Sequence, residues 1–197
     1  MICGHKWWLF KGALTSKMCD KIIKLGKSKK EEKGFIGKKN IDKLKRNSNV
    51  SWLNDNWLYD IVNDFTSTAN KNANWNIEIN WNEDMQFTTY TKAGHYDWHM
   101  DQFDQPYDKS SHKNLIGKIR KLSCIINLSN PKTYEGGDLY VANDNFISHK
   151  RDVIRVSDFK NQGSVIVFPS FLFHKVSPLK KGKRYSLVNW SIGYPWK

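Results

Sequence analysis

The densest group of metal-binding side chains in the 197 residues lies in Gly94-His95-Tyr96-Asp97-Trp98-His99-Met100-Asp101 and continues to Asp104. Two His-x-Asp pairs sit here, His95 with Asp97 and His99 with Asp101. In an extended strand, side chains two apart share a face, so the spacing puts all four on one side and does not choose between the pairs. A His and a carboxylate two apart, completed by a His from elsewhere, make the facial triad that holds non-heme Fe(II) and leaves coordination positions open. Alone, His-x-Asp is a short pattern, and its commoner meaning is a polar strand end whose His bonds to backbone. Further along, an apolar run ends at Phe168-Pro169, His174 follows, and Arg184 opens the next run ten residues later. If the two runs are strands joined as a hairpin through Pro178 to Lys183, Arg184 points into the same barrel as His174. A buried guanidinium requires an anion. A small dicarboxylate is such an anion, gripped bidentately at one end while its other end reaches the metal.

These residues need a scaffold, and the hydrophobic periodicity outlines one. Residues 1–84 read as mostly helical support for a catalytic jelly roll over 85–197, the two forming a single domain. Thr15 or Ser16 is the N-cap of a helix over Lys17 to Leu25 that stops at Gly26. A second helix runs from Asn54 or Asp55 to about Asn70, with Trp57, Leu58, Ile61, Val62 and Phe65 at helical spacing. Between them, residues 26–47 form a Lys-rich, exposed loop. From Trp75 the period becomes strand-like, through Ile77, Ile79 and Trp81 and then Met85 to Thr91. Lys121 to Leu128, Asp138 to Ala142, Ser164 to Phe168 and Tyr185 to Ile192 are further strands bounded by turn residues. The fold class is α+β with a mainly β core: an antiparallel double-stranded β-helix, jelly-roll and cupin-like, with N-terminal supporting helices.

Six ordered motifs span roughly residues 85 to 192. Tyr90-x-x-x-Gly94 and Tyr96 precede His99-x-Asp101, and Arg120-x-Leu122-Ser123 leads to Asn127-Leu128-Ser129. Tyr134-x-Gly136-Gly137-Asp138-Leu139, Phe168-Pro169-Ser170, His174, and Gly182-x-Arg184 with Trp190 follow. In these motifs the chain resembles the iron(II)- and 2-oxoglutarate-dependent oxygenases, in particular the prolyl 4-hydroxylase-like branch that includes the PKHD-type hydroxylases. The resemblance implies that His99, Asp101 and His174 hold the iron, and that His95 and Asp97 do not. It implies that Arg184 holds the distal carboxylate of 2-oxoglutarate, with Tyr90 and Ser186 as hydroxyl donors. Relatives often carry an aromatic hydroxyl near position 127, where this chain has Asn127 as the candidate co-substrate contact. Trp190 matches a Trp that lies near the active site in relatives and is the candidate substrate-pocket residue. His5, His112 and His149 match no motif.

The implied activity is hydroxylation of a C–H bond by a dioxygenase using Fe(II), 2-oxoglutarate and O2, releasing succinate and CO2, with ascorbate rescuing oxidised iron. The implied substrate is a prolyl residue in a peptide or protein, the alternative being a free amino acid or small metabolite. An AlkB-like nucleic-acid demethylase carries a second Arg six residues after the co-substrate Arg, where this chain has Trp190, so nucleic acid is not the expected partner. A non-catalytic cupin-like binding module should lack a ligand or the Arg, and here all four residues are present.

The charge balance agrees. The chain carries 32 Lys plus Arg against 19 Asp plus Glu, a formal net charge of +13. Residues 21–46 hold 11 basic and 3 acidic side chains and residues 175–184 hold five basic and none acidic, which accounts for the whole excess. The charge therefore belongs to one surface loop and one basic segment ending at Arg184, where positive potential favours capture of a dianion. Three widely separated Cys residues argue for reduced thiols, and no run of about 18 apolar residues occurs. The expectation is a cytoplasmic protein with no membrane partner, monomeric or homodimeric.

Overall fold

The computed structural model describes residues 5–34, 42–110, 112–142 and 152–196. Cys3, His149 and the centre of the Lys-rich segment lie outside them. The first half contains β1 (Trp8–Phe10), α1 (Ser16–Ser28), β2 (Glu32–Lys33), β3 (Arg46–Asn47), β4 (Asn49–Leu53), α2 (Asn56–Asn72) and β5 (Trp81–Asn82). Then come β6 (Met85–Tyr90), β7 (His95–His99), β8 (Ile119–Asn127), β9 (Tyr134–Gly136), β10 (Leu139–Ala142) and β11 (Val153–Arg155). The chain finishes with β12 (Val165–Pro169), β13 (His174–Val176), β14 (Leu179–Gly182) and β15 (Arg184–Gly193).

An eight-stranded sheet runs β1-β12-β8-β15-β6-β4-β2, with β5 also paired to β15, and a five-stranded sheet runs β11-β10-β13-β7-β3. From β6 onward the chain steps between the sheets: β6, β8, β12 and β15 in the larger, β7, β10 and β13 in the smaller. This alternation makes the double-stranded β-helix expected from the sequence.

Period-2 alternation gives the larger sheet two buried faces. Leu122, Cys124, Ile126 and Leu128 join Val165, Val167, Met85, Phe87 and Leu187 in one core with Ile22, Leu58 and Val62 of the helices. Ile125, Ile166, Phe168, Val188 and Trp190 meet Leu139, Val141 and Val176 of the smaller sheet in a second core. A strand buried on both sides reads as a nearly continuous apolar run, as in Leu122 to Leu128.

Four expectations are corrected. The first 84 residues are not mostly helical: besides α1 and α2 they supply β1 to β5, and these strands join both sheets. Strands of two to five residues are too short to show a period. Residues 75–80 are not a strand. Asn74 and Asn76 have positive φ, the Asn70 carboxamide bonds both the N–H and the C=O of Ile77, and Trp75 and Ile77 enter the helical core from irregular backbone. α1 does not stop at Gly26 but runs through it to Ser28. A Cβ at Gly26 would collide with the Phe87 ring, so this glycine serves close helix–sheet packing rather than termination. Finally, His174 and Arg184 are not on hairpin partners, because β13 lies in the smaller sheet, β15 in the larger, and the intervening β14 pairs with β9. Within the double-stranded β-helix the two residues therefore reach one interior from different sheets.

Candidate functional site

Between the sheets lies a cavity of about 280 Å³. β15 lines it with every second residue, Arg184, Ser186, Val188 and Trp190, as strand alternation requires. β6 contributes Gln86 and Tyr90. From the smaller sheet come Tyr96, His99, Val176 and His174, and Asp101 follows just after β7.

His99, Asp101 and His174 come together. Their ligand atoms lie within 4.8 Å of one another, and no other group of three or more potential metal ligands occurs among the described residues. His99 and His174 are direct cross-strand partners. Asp101 reaches across toward the larger sheet, where the Ser123 hydroxyl donates to Oδ2 at 2.7 Å. Ser123 and Ser170 hydroxyls bond at 2.9 Å, and the Asp101 N–H donates to the Ser170 carbonyl at 2.9 Å.

His95 and Asp97 do not join them, although strand alternation predicts that all four residues share a face. Tyr96 is in register with Val176 and His99 with His174, so three residues of β7 span what two residues of β13 span. This bulge reverses the phase of the strand. Tyr96 and His99 both turn inward, while His95 bonds the carbonyls of Ala93 and Leu44 and exposed Asp97 lies 3.8 Å from Lys45.

Each His of the inner group is oriented by its other ring nitrogen. Nδ1 of His99 lies 2.7 Å from the Asp97 carbonyl and Nδ1 of His174 lies 2.9 Å from the Leu172 carbonyl. Both Nε2 atoms are thereby aimed at Asp101, at 3.7 and 3.6 Å, beyond hydrogen-bond reach. Burial pushes the His99 pKa well below its ordinary value, helped by the neighbouring His174, which favours the neutral, ligating form. Burial alone would raise the Asp101 carboxyl, but the adjacent His174 and His99 rings, the Arg120 guanidinium and the Ser123 hydrogen bond hold it below its usual value. Two imidazoles and one carboxylate, converging without bonding each other, fit a divalent iron ion.

Arg184 is buried, and its Nη1 has no hydrogen-bond partner. Gly137 makes room for it, since a Cβ there would sit 3.0 Å from Arg184 Cδ. A desolvated cation with an unused donor fits one carboxylate of a dianionic ligand. Tyr90, whose pKa burial raises against the pull of Arg46 and Arg184, lines the same cavity, as does Ser186. Trp190 lines it too, with a buried indole N–H that has no partner. Asn127 is placed differently. It is not among the lining residues, and its amide donates to the Lys160 carbonyl at 2.9 Å and more weakly to Tyr134 Oη at 3.3 Å.

The structure adds residues to which sequence reasoning gave no role. Arg120 stacks 3.6 Å from the Trp190 ring centroid and binds Glu83 through Nε and Nη2 at 2.7 and 2.6 Å. Ser123 and Ser170 support Asp101, and Arg46 lines the cavity beside Tyr96. Arg120, Ser123 and Ser170 stood inside recognised motifs. Arg46 lay in the Lys-rich segment and carried no signal.

The family profile described as "2OG-Fe(II) oxygenase superfamily" matches residues 85–192. A PKHD-type hydroxylase of Pseudoalteromonas atlantica is 32% identical over 105 residues, which are 53% of this chain and 41% of that protein. This chain thus matches well under half the length of that curated relative. Among solved structures, a Pseudomonas putida prolyl-4-hydroxylase superposes with TM-score 0.69 at 16% identity, covering 95% of this chain and 92% of that one. A Trichoplax adhaerens prolyl hydroxylase, solved with a hypoxia-inducible-factor peptide fragment, gives TM-score 0.70 at 17% identity, covering 94% and 83%. At these identities the structures establish the shared fold.

Proposed function

The chain belongs to the 2OG-Fe(II) oxygenase superfamily, and from that membership we propose that it is a dioxygenase that hydroxylates a prolyl residue of a peptide or protein. The observation that carries this reading is one cavity holding both the His99–Asp101–His174 cluster and the buried Arg184, whose Nη1 has no hydrogen-bond partner. Iron, 2-oxoglutarate and O2 together supply the oxidising chemistry, converting a C–H bond to C–OH with release of succinate and CO2.

The protein's part is placement. His99, Asp101 and His174 would hold the iron, each fixed by a further hydrogen bond. Arg184 would bind the distal carboxylate of 2-oxoglutarate, with the Tyr90 and Ser186 hydroxyls, which line the same cavity, as hydrogen-bond donors. The burial of Arg184 strengthens that ionic contact and keeps water from competing for it. Asn127 is left out of the contact set because its amide is tied to the neighbouring backbone. Trp190, Trp52, Phe103 and Met100 also line the cavity and offer it apolar surface suited to a pyrrolidine ring. The described residues contain no helix long and apolar enough to cross a membrane. Ascorbate as a reductant and a cytoplasmic location complete the reading on the family resemblance.

The test is a panel of proline-containing peptides and free amino acids incubated with the chain, Fe(II) and 2-oxoglutarate, read by mass spectrometry. A peptide product heavier by one oxygen, with matching succinate, is expected. Hydroxylation confined to a small metabolite, or none in the whole panel, would overturn the prolyl-peptide reading.

A further inference from the structure

The three-residue step that carries β7 from Tyr96 to His99 places two rings face to face. Their centroids are 3.4 Å apart and their planes within 10°. Arg46, directly opposite Tyr96 on β3, also lies near the ring, its Cζ 4.6 Å from the centroid. Guanidinium, phenol and imidazole thus form one linked set ending at an inward-facing His. The guanidinium is itself held: Arg46 Nε donates to Ser48 Oγ at 2.9 Å, and a Cβ at Gly34 would sit 2.5 Å from Nε. Arg46 is buried, on an otherwise Lys-rich segment.

We propose that Arg46 and Tyr96 are positioning residues for the metal site, acting through the ring stack to fix the plane of His99. A hydrogen bond at Nδ1 to the Asp97 carbonyl anchors one point of the imidazole and leaves rotation about that contact. The Tyr96 face removes this freedom, and Arg46, in the range of a cation–π contact, steadies the Tyr96 ring from β3. The Nε2 lone pair then points into the site before any ion arrives, and the ordering cost is met by the fold rather than by metal binding.

The inference rests on the metal reading of the cluster, and the test separates the two. Mn(II) affinity of the full chain is titrated for the parent, Tyr96→Phe, Tyr96→Leu, Arg46→Lys and Arg46→Ala. Metal-free stability is measured alongside by urea unfolding. Losing a partner that orients a ligand weakens metal binding by about 10- to 100-fold. Tyr96→Leu and Arg46→Ala are therefore expected to bind at least about tenfold more weakly. Tyr96→Phe keeps the stack and is expected within about twofold of the parent, and Arg46→Lys, which keeps the cation, to recover part of the Arg46→Ala loss. Parent-like binding by Tyr96→Leu and Arg46→Ala would overturn the inference alone. So would a Tyr96→Phe loss as large as that of Tyr96→Leu, or a Mn(II) affinity that follows urea stability across the set. A parent that binds no Mn(II) would overturn both the inference and the metal reading.

Discussion

Replacing Arg184 by Met should move ligand binding and stability in opposite directions. Without a ligand, Arg184 is a buried guanidinium whose Nη1 has no partner and whose near neighbours include the Tyr90 and Phe159 rings at 5.5 and 5.9 Å. Exchanging such a charge for an apolar side chain of similar length is typically neutral or stabilising, by up to about 4 kcal/mol. With 2-oxoglutarate the sign reverses, because truncating one partner of a buried charge pair costs about 2–5 kcal/mol, or roughly 30- to 4,000-fold in affinity. The assay is urea unfolding of the Mn(II)-loaded chain with and without 2-oxoglutarate. At a ligand concentration 100 times the parent's Kd, the parent gains about 2.7 kcal/mol. A variant whose Kd has risen at least 30-fold gains less than about 0.9 kcal/mol at the same concentration. A variant that loses stability without ligand yet keeps the parent's gain with it would show that Arg184 is structural and that the co-substrate is held elsewhere.

Two further outcomes follow from local geometry. Ser123→Ala removes the hydroxyl that donates to Asp101 at 2.7 Å and should weaken Mn(II) binding about tenfold in a direct titration, with urea stability little changed. Gly26→Ala, a change that favours most helices by about 1 kcal/mol, should here lower the urea midpoint, since the Cβ meets the Phe87 ring and overpacking costs about 1–3 kcal/mol.

The site was legible in the sequence where side-chain type and period coincide. Arg184, Ser186 and Trp190 share one face of a strand readable from its alternation. The His-x-Asp choice was not legible from spacing, because a bulge between Tyr96 and His99 breaks the period on which spacing arguments rest. Only the motif order selected His99 and Asp101, and the geometry gives that order its physical cause. β2 and β3 escaped notice because each has two residues. Of the alternating Trp75, Ile77 and Ile79, the first two are buried and the third partly buried, but backbone bonds to Asn70 and positive φ at Asn74 and Asn76 replaced a ladder. Arg46 drew no attention because its burial depends on pairing with Tyr96, 50 positions away in the chain.

The most direct measurement is iron-dependent formation of succinate from 2-oxoglutarate by the parent chain and by Asp101→Ala, His174→Ala, His95→Ala and Asp97→Ala. Turnover in the parent that vanishes on removing iron, is lost in Asp101→Ala and His174→Ala, and survives in His95→Ala and Asp97→Ala is the expected pattern. Turnover that persists in Asp101→Ala and His174→Ala, or that disappears with His95 or Asp97 instead, would place the chemistry on the other face of the strand and contradict the assignment.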